Sequence, residues 1–409
     1  MPSGSTSPCV ALVVDRFPAE TFLAQQVVAL RRRGVDLHVL CQIADDLPAA
    51  VALLDGADLD GRIHPWPDRD ERLARFVAAG RTLARAARRS PGGLVRALRS
   101  ELRAGTDGAV GRLLFDARLL AVGADVVHFQ FGDLARARTH VARATDVAFS
   151  ASFRGYDLTY AGLDEPSFYD DLWPALDGAH TLGVDLRSRA RDRGAPADLA
   201  WTLIPPAVDL GRFDPGDRTQ HDGPLRVLCL GRLHWKKAHD HAVAAVAAVR
   251  GAGVDVELRI AGSGDAEEAV RWAIDDLRMA DRATLIGQLD PDEVVEQLRW
   301  ADVLLHPSLT EGFANAVVEA QAMGVPVVAS DAEGLRENVV DGVTGYVVAR
   351  RDIGALVDRL LLLARDPDLR RRLGDAGRER AETHFSLDAQ TDAFVDFFAS
   401  TTQRRRRRR

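Results

Sequence analysis

Two glutamates eight positions apart frame the stretch EGFANAVVE, which runs from Glu311 to Glu319. The second glutamate stands between the apolar Val318 and Ala320, and a buried carboxylate without a partner is costly. A carboxylate only accepts hydrogen bonds, so two neighbouring sugar hydroxyls are natural partners for each glutamate. The alternatives are that Glu311 compensates a helix dipole and that Glu319 belongs to a buried ion pair.

The residues between the glutamates predict an anion-binding turn. Gly312 frees the backbone, and we expect a helix whose first turn contains Phe313, Ala314 and Asn315. The first amides of a helix have no partner inside the helix and bind anions such as phosphate. A carboxyl pair for glycoside hydrolysis is less favoured, because no other loop supplies a matched partner.

Two cations follow another predicted strand. In GRLHWKK, Gly231 ends the strand, and Arg232 and Lys237 emerge five positions apart at its carboxyl end. A planar guanidinium and a point-charge ammonium suit a diphosphate at such a place. The alternative is a pair of surface cations on a loop. The spacing is not that of a P-loop, and AGSGDAE lacks the glycine fingerprint of a dinucleotide site.

Short apolar runs alternate with long helical stretches, which predicts an α/β protein with parallel sheets and helices on both faces. The predicted strands of the first half are CVALVVD, VDLHVLCQ, ADVVHFQ, DVAFSAS and HTLGV. Those of the second half are LRVLCLG, VELRIAG, RATLIG, ADVLLHP, VPVVASD and GYVV. Ligands bind beyond the carboxyl ends of such strands, where the polar, glycine-rich loops lie. We therefore expect both halves to direct these loops at one shared cleft.

The stretch WTLIPPAVDLGRFDPGD breaks both helix and strand, so we place a domain boundary near Asp209. The last apolar residues recur at helical spacing and predict a docking helix that crosses back to the first domain. The arginine run at the end is expected to be a disordered tail, with an anionic-membrane tether as the alternative. The expected parts are residues 1–208, 209–385, 386–403 and 404–409.

Residues 68–120 predict helices rich in arginine, with 12 arginines against six acidic residues. One interpretation is a solvated helical cover. The other is an interfacial or acceptor-binding surface that faces anionic lipid, since basic amphipathic helices bind such surfaces. The chain as a whole has a net charge of −7 despite its basic end, which argues against a dedicated nucleic-acid binder.

Three scattered cysteines, Cys9, Cys41 and Cys229, lie in or beside strand-like runs. This pattern fits reduced thiols and favours neither a disulfide framework nor a zinc site. The start of the chain lacks the basic region of a signal peptide, and no run reaches the roughly 18 apolar residues of a spanning helix. We therefore expect a cytoplasmic protein without a metal cofactor.

Four stretches together resemble a known family: GRLHWKK, EGFANAVVEAQAMGVPVVASD, GLRENVVDGVTGYVV and IPPAVDLGRF. They look like the retaining glycosyltransferases of family 4, which have the GT-B fold of two Rossmann-like domains facing across a cleft. The spacing of Glu311 and Glu319 is the signature of that family. The opening FPAETFLAQQVVALRRRGVDLHVL resembles the FPxxSETF start of members that build exopolysaccharides such as colanic acid, and VVHFQFGD resembles their H-x-H-F-G stretch.

The resemblance implies a role for each matched residue. Arg232 and Lys237 would hold the donor diphosphate, Glu311 would contact the donor sugar, Glu319 would contact the ribose, and His128 would lie near the reacting carbon. The full donor-binding set is Gly231, Gly262, Gly264, Gly312, Phe313, Ala314, Asn315, Glu319 and Glu337. The residues assigned to the acceptor side are Thr21, Phe22, Arg154 and Asp157.

Several positions depart from the family pattern. Arg154 and Gln130 stand where the family commonly has histidines, so they bear on the identity of the acceptor. Ala238 and Ala207 stand where the family usually has glycines.

The function implied is transfer of a hexose from a nucleoside diphosphate sugar to a glycan or lipid-linked acceptor, with retention of configuration, in cell-surface polysaccharide biosynthesis. The family's route is a front-face reaction in which the donor phosphate accepts the acceptor proton, with no cofactor. The expected partners are that donor, that acceptor and an anionic membrane surface, without nucleic acid. Two alternatives stay open: a sugar-nucleotide epimerase of the same architecture, and a non-catalytic nucleotide-sugar binder.

Overall fold

The structure is a computed structural model in which the chain folds into two compact units. Unit 1 comprises Met1–Ile204 and Thr391–Arg409, and unit 2 comprises Pro205–Gln390. The first change of unit, between Ile204 and Pro205, therefore falls shortly before the predicted boundary at Asp209. The residues that the structure describes are 8–18, 21–44, 54, 58–66, 72–104, 108–216 and 221–408.

Unit 1 is built on a seven-stranded sheet whose neighbours all pair in parallel, in the order β5-β3-β1-β6-β7-β8-β9. Continuous apolar strands such as VALV and AFSASF are fully buried, as expected where helices cover both faces. A separate parallel pair joins β2 to β4. The strands are β1 Val10–Val13, β2 Arg16–Phe17, β3 Leu37–Cys41, β4 Ile43–Ala44, β5 Ile63–Pro65, β6 Val126–Phe129, β7 Ala148–Phe153, β8 Gly178–Thr181 and β9 Trp201–Leu203.

Helices connect these strands. The first connection is α1 Thr21–Arg32, whose apolar stripe is buried against the sheet. The arginine-rich segment predicted at 68–120 forms three helices within its described part; residues 68–71 and 105–107 lie outside the described residues. The helices of that segment are α2 Arg72–Arg89, α3 Pro91–Ala104 and α4 Ala109–Val122. The shorter helices that follow are α5 Gly132–Arg136, α6 Val141–Ala144, α7 Gly155–Thr159 and α8 Val184–Asp192.

Unit 2 contains a six-stranded parallel sheet in the order β12-β11-β10-β13-β14-β15. Its core is formed by strand residues such as Val227 and Leu258 and by helix residues such as Val246 and Leu360. The strands are β10 Leu225–Leu230, β11 Val256–Ala261, β12 Ala283–Gly287, β13 Val303–His306, β14 Val327–Ser330 and β15 Gly345–Val348. The helices are α9 His239–Gly251, α10 Glu267–Asp276, α11 Pro291–Trp300, α12 Asn315–Ala322, α13 Leu335–Asn338, α14 Ile353–Arg365 and α15 Pro367–His384.

The last helix, α16 Leu387–Arg407, places three phenylalanines in the core of unit 1. Phe394, Phe397 and Phe398 are at most 2% exposed, which accounts for the apolar spacing seen in the sequence. None of the described helices is both long and apolar enough to cross a membrane.

The prediction of a disordered arginine tail is wrong for the described residues. The helix continues through Arg407, and cations near a helix C-terminus interact favourably with its dipole. Arg404 Nε donates to Asp177 O at 2.7 Å, Arg405 Nη2 donates to Thr145 O at 2.7 Å, and Arg408 Nη1 donates to Leu176 O at 2.9 Å. These arginines therefore hold the end of α16 on unit 1. Arg409 lies outside the described residues.

Candidate functional site

Two backbone contacts bring the strand-end loops of unit 2 together. A Cβ added to Gly262, after β11, would lie 2.0 Å from Gly231 O, after β10. A Cβ on Gly264 would lie 2.3 Å from Leu233 O. Both glycines also have positive φ angles, of 142° and 154°. Side chains are excluded at these positions, so two predicted donor-binding glycines act by allowing adjacent loops to touch.

The loop after β10 ends in a tight turn that positions Lys237. Residues 235–237 form a 3₁₀ turn, and Ala238 follows in the left-handed region with φ 50°. This conformation explains why glycine suits that position, since a Cβ is disfavoured there. His239 Nε2 bonds Arg232 O at 3.3 Å and closes the loop.

Lys237 and Glu311 come from different loops and form an ion pair between Nζ and Oε2. Their side chains are only 14% and 13% exposed. His306 Nε2 lies 3.4 Å from the same Oε2, and Ser308 Oγ lies 3.1 Å from that ring nitrogen. Burial alone would raise the pKa of Glu311, but the Lys237 ammonium and His306 hold that pKa at about 2. The carboxylate is therefore ionised and fixed in place.

The backbone around Glu311 is held by residues that the sequence reasoning did not select. Glu311 N donates to Glu333 Oε2 at 2.7 Å, and Ala314 N donates to Asn338 Oδ1 at 3.2 Å. A Cβ on Gly334 would lie 2.0 Å from Gly312 O, so the loop after β14 packs directly on this turn. Glu333, Gly334 and Asn338 all lie in SDAEGLREN, a polar stretch that follows a predicted strand. Their position after that strand is the feature of the sequence from which a role at the site could have been predicted.

Helix α12 begins at Asn315, so Phe313 and Ala314, which were predicted in its first turn, precede the helix. No side chain caps its start. Phe313 is buried and packs edge-on against Phe385 with ring centroids 5.9 Å apart, so its side chain is structural. Asn315 is exposed. The amides of this first turn lie just beyond the Gly312 backbone, in the arrangement that suits an anion.

Glu319 lies on α12, beyond its first turn, and is partly buried. Burial raises its pKa to about 7, and the nearby charge of Arg212 opposes that rise only in part. In the described part of the chain its carboxyl group has no hydrogen-bond donor. The alternative of a buried ion pair is therefore not what the structure shows, because Arg212 itself pairs with Asp292 at 2.7 Å.

Two further predicted donor residues lie in unit 2. Arg232 is exposed, and its guanidinium has no hydrogen-bond or ion-pair partner among the described residues. Glu337 lies on α13 and is half-buried, and its carbonyl accepts Arg380 Nη2 at 2.8 Å. The structure thus brings Lys237 and Glu311 into direct contact, and it places the glycines and the α12 start around them.

His128 is not at a substrate-accessible position, and its predicted catalytic role is wrong. The side chain on β6 is 0% exposed, and its ring nitrogens lie 3.1 Å from Ser150 Oγ and 2.9 Å from Ser152 Oγ. Its ring packs edge-on against the phenylalanines of α16. Burial lowers its pKa well below the ordinary value, so it is a neutral core histidine.

The predicted acceptor-side residues form a network in unit 1. Arg154 Nη2 donates to Gln130 Oε1 at 2.8 Å, Gln130 Nε2 donates to Gln26 Oε1 at 3.0 Å, and the Arg154 guanidinium lies 4.4 Å from the centre of the Phe22 ring. Thr21 is exposed at the start of α1. Gln130, two residues beyond His128, is therefore the polar residue that lies at the end of β6.

Asp157 has a structural position within the same region. Its carboxylate is 0% exposed and accepts the N–H groups of Gly132 at 2.7 Å, Asp133 at 3.3 Å and Arg154 at 2.8 Å. Burial raises its pKa to about 7 against the effect of these donors. It ties the starts of α5 and α7 together, so it shapes the loops instead of presenting a free carboxylate.

Two groups of residues in unit 1 have the chemistry of metal ligands. Cys9, Asp36 and His38 come together, but Asp36 pairs with Arg62 at 2.5 Å. The second group is Glu101, Asp116 and His140. There Glu101 pairs with Arg112 at 2.7 Å, and His140 Nε2 lies 3.2 Å from Asp116 Oδ1. Each group thus has internal charge partners, and neither belongs to the unit 2 site. The absence of a metal cofactor stays a prediction.

Comparisons with known proteins match the part of the chain that contains this site. Residues 213–380, which include the Lys237–Glu311 pair and Glu319, match the family model described as glycosyl transferases group 1. The glycogen synthase of Mycobacterium tuberculosis (strain CDC 1551 / Oshkosh) is 32% identical over 220 residues, which are 53% of this chain and 52% of that protein. This chain therefore spans about half the length of the curated relatives it matches.

Solved structures show the fold over nearly the whole chain. Sucrose-phosphate synthase from Thermosynechococcus elongatus is 19% identical with a TM-score of 0.70, covering 95% of this chain and 98% of that one. Anabaena HepE in complex with UDP-glucose is 14% identical with a TM-score of 0.71, covering 96% and 99%. The two parallel-sheet α/β units are those of the GT-B glycosyltransferase fold, which confirms the predicted fold class.

Proposed function

We propose that this protein is a retaining glycosyltransferase that transfers a hexose from a nucleoside diphosphate sugar to a glycan or lipid-linked acceptor in cell-surface polysaccharide biosynthesis. The observation that supports this most directly is the Lys237–Glu311 pair beside the uncapped start of α12. It lies in the region that matches the glycosyltransferase family model. A nucleotide-sugar donor is further supported by HepE, which was solved with UDP-glucose.

In this proposal the diphosphate of the donor binds between the cations and the helix start. The ammonium of Lys237 carries three donors, so it keeps Glu311 and adds a phosphate oxygen. The exposed Arg232 supplies a planar fork for a second oxygen. Glu311 then accepts from hydroxyls of the transferred sugar, and Glu319 accepts from the ribose diol.

The reaction breaks the bond between the anomeric carbon and the diphosphate oxygen and forms a bond from that carbon to the acceptor oxygen. The acceptor proton moves to the departing diphosphate, so the products are the glycoside and the nucleoside diphosphate. Negative charge grows on the diphosphate during this step. Lys237, Arg232 and the amides of the α12 start would stabilise it, because preorganised donors cost no reorganisation during reaction.

We further propose that the surface of α2 and α3 associates with anionic membranes. Exposed apolar side chains protrude there: Leu73 is 78% exposed, Phe76 79% and Leu102 73%. Arginines such as Arg81 and Arg99 are exposed on the same helices. Apolar groups flanked by arginines are the composition of interfacial helices.

Vesicle flotation tests this surface. A double variant, Leu73→Ser with Phe76→Ser, should lose flotation with vesicles that contain anionic lipid. The control Trp272→Ser removes a 68% exposed aromatic side chain from α10 and should float like the wild type. Equal flotation of all three proteins, or none with the wild type, would contradict membrane association.

Thermal-shift screening against a panel of sugar nucleotides, followed by transfer assays with the best donor, tests the enzymatic proposal. We expect at least one nucleoside diphosphate sugar to raise the melting temperature and to be consumed when an acceptor is present. Absence of any shift across the panel would contradict the donor site. Conversion of the donor to an isomeric sugar nucleotide without an acceptor would instead identify an epimerase.

A non-catalytic nucleotide-sugar binder is the second candidate, because unit 1 does not present the expected histidine. His128 is in the core, and Gln130 bonds Arg154 and Gln26. Donor binding without transfer to any member of a wide acceptor panel would favour this candidate. Transfer to any acceptor would exclude it.

A further inference from the structure

Unit 1 contains a cavity of about 1030 Å³ at the carboxyl ends of β1, β3 and β6. Val14, Cys41 and Phe129 mark these strand ends in its wall. Ligands of open α/β sheets bind at this edge, and the volume is at the upper end of the roughly 300–1,000 Å³ usual for small-molecule pockets. The residues that line the cavity all belong to unit 1.

The wall of the cavity is mainly apolar, unlike a site built for a bare sugar. A glycan presents hydroxyl groups that lose water on binding and need hydrogen-bond partners. Aliphatic and aromatic side chains instead offer dispersion contacts and burial for hydrocarbon, at about 0.8 kcal/mol for each buried CH₂ group. The apolar side chains include Leu40, Ile43, Trp66, Leu114, Phe115 and Leu134.

Arginines supply positive charge in this apolar wall. Arg138 is half-buried, lies with its guanidinium 4.8 Å from the centre of the Phe115 ring, and makes no side-chain hydrogen bond or ion pair with the described residues. Arg118 lies 5.2 Å from the centre of the Trp66 ring and donates to His64 O. Burial lowers the pKa of both arginines, that of Arg118 to about 10. The charge of Asp116 opposes this effect at Arg138 only in part, and an anion in the cavity would offset the remaining cost of desolvation.

The charge balance of the wall favours an anion. Arg75 is a third arginine in the wall, and Asp133 is its one acidic residue among those described. Asp133 already accepts the N–H of Leu134 at 2.7 Å, so part of its charge is satisfied locally. Arginine in particular suits phosphate, because its planar fork matches two phosphate oxygens.

The wall of the cavity reaches the protein surface at the start of α4. Arg75 and Val110 belong to the cavity wall, and Val110 is 72% exposed. Phe76, the neighbour of Arg75 on α2, is 79% exposed. A hydrocarbon chain that leaves the cavity past Val110 would therefore meet an apolar side chain at the protein surface.

We propose that this cavity binds the acceptor and that the acceptor is an amphiphile, with an apolar chain and a phosphate group. The chain lies along the apolar wall, and the phosphate bonds the guanidinium of Arg138. This inference rests on the proposed transfer reaction and narrows its acceptor to one chemical class. It assigns Arg138, which carried no role in the sequence analysis, as an acceptor-binding residue.

Binding of farnesyl phosphate, a short isoprenoid phosphate, tests the proposal on the full chain by titration calorimetry. The wild type should bind it, and farnesol should bind at least about tenfold more weakly because it lacks the charge. Arg138→Gln should weaken binding of farnesyl phosphate by at least about tenfold, the scale of one charge-assisted hydrogen bond. Arg136→Gln is the matched control, since Arg136 pairs with Glu165 outside the cavity.

Two glycine-to-leucine variants test the cavity without changing any charge: one fills space in the cavity, and the other is its control outside the cavity. Gly111 lies on α4 in the cavity wall, and a Cβ there would meet nothing within 4 Å. Gly111→Leu should fold, because leucine is the better helix former, and should narrow the cavity. Gly80→Leu is its control on α2, also in open space and outside the cavity. We expect loss of farnesyl phosphate binding in the first variant only.

UDP binding, measured on the same proteins, separates this proposal from the enzymatic one. All four variants should bind UDP like the wild type, because the changes lie in unit 1. UDP binding without farnesyl phosphate binding would overturn the cavity proposal alone. Equal farnesyl phosphate binding in Arg138→Gln and Arg136→Gln would also overturn it. Failure of the wild type to bind any nucleotide would contradict the donor site and leave the cavity result standing.

Discussion

Two carboxyl groups, the buried Asp157 of unit 1 and the partly buried Glu319 of unit 2, show how differently the two strand-end regions use polar side chains. Burial raises the pKa of both Asp157 in unit 1 and Glu319 in unit 2 to about 7. Asp157 accepts three backbone N–H groups from the loops it joins. Glu319 has no such donor in the part of the chain that is described. Both carboxylates are costly to remove from water. In unit 1 the carboxylate of Asp157 stabilises loops, whereas in unit 2 that of Glu319 can still accept hydrogen bonds from a ligand.

The cations show the same difference. In unit 1, Arg154 donates to Gln130, and Arg405 donates to main-chain carbonyls. In unit 2, Arg232 is exposed, and Lys237 is held against Glu311. Polar groups that the protein satisfies internally are fixed and unavailable, whereas those with spare capacity can bind substrate. This distinction separates the site residues from residues that only resemble them in sequence.

Glu311→Gln should have the largest effect of the changes considered. It removes the sugar contact and the anionic partner of Lys237. We expect turnover to fall roughly 10²–10³-fold, the scale of losing one preorganised contact to the reacting group. Stability should fall by about 3 kcal/mol, because a mostly buried ammonium loses its partner. Assays of transfer and of thermal unfolding measure the two effects.

The control for this change is Glu296→Gln, an exposed glutamate of α11, which should behave like the wild type. Added UDP should recover part of the lost stability in Glu311→Gln, since its diphosphate supplies Lys237 with a new anion. Full turnover together with an unchanged melting temperature would show that the pair is not the centre of the site.

His128→Asn tests whether this buried polar residue of unit 1 is structural. The change removes a packed ring and its hydrogen bonds to Ser150 and Ser152, although both serines keep another partner. We therefore expect stability to fall by about 3 kcal/mol, as for other buried polar deletions with a cavity. Turnover per folded molecule should change little, because the ring does not reach substrate. Chemical denaturation measures the change in stability, and transfer assays normalised to the amount of folded protein measure turnover. A stable protein without turnover would restore the catalytic role.

Much of the fold could be predicted because interior parallel strands are continuous apolar runs. All six strands of unit 2 lie in the predicted stretches. The strands missed in the main sheet of unit 1, β5 and β9, have only three residues each and lie at its two edges. Their sequences IHP and WTL bury less apolar surface, so hydrophobic pattern alone does not distinguish them from loops.

The candidate site was predictable where residue type and loop position both carried information. Lys237 and Glu311 were selected from charge at strand ends, and the structure joins them. His128 and Gln130 are both fully buried at or just beyond the end of β6, and the sequence alone does not show that His128 packs against the phenylalanines of α16. Helix α16, more than 250 positions away in the sequence, contacts His128 and completes its burial. A local motif around His128 carries no information about such distant contacts.

The pH dependence of donor binding tests whether Glu319, unlike Asp157, is available to bind a ligand. Glu319 has a pKa of about 7 in the free protein, and its ionised form is the one that accepts both ribose hydroxyls. Affinity for UDP-glucose should therefore rise about tenfold from pH 6 to pH 8, as the ionised fraction rises. Calorimetry at several pH values measures this. Glu319→Gln should give a flat profile, and a flat wild-type profile would remove the ribose assignment.

Arg405→Ala is expected to have the smallest effect, and it tests whether the C-terminal arginines hold the end of α16 on unit 1. Its guanidinium is 17% exposed and bonds the carbonyls of Ala142 and Thr145. Loss of these bonds should lower stability by about 1–2 kcal/mol. Arg407→Ala removes an exposed arginine of the same helix end and should change stability by less than about 0.5 kcal/mol. Equal unfolding curves for both variants would mean that the run behaves as the solvated tail expected from its sequence.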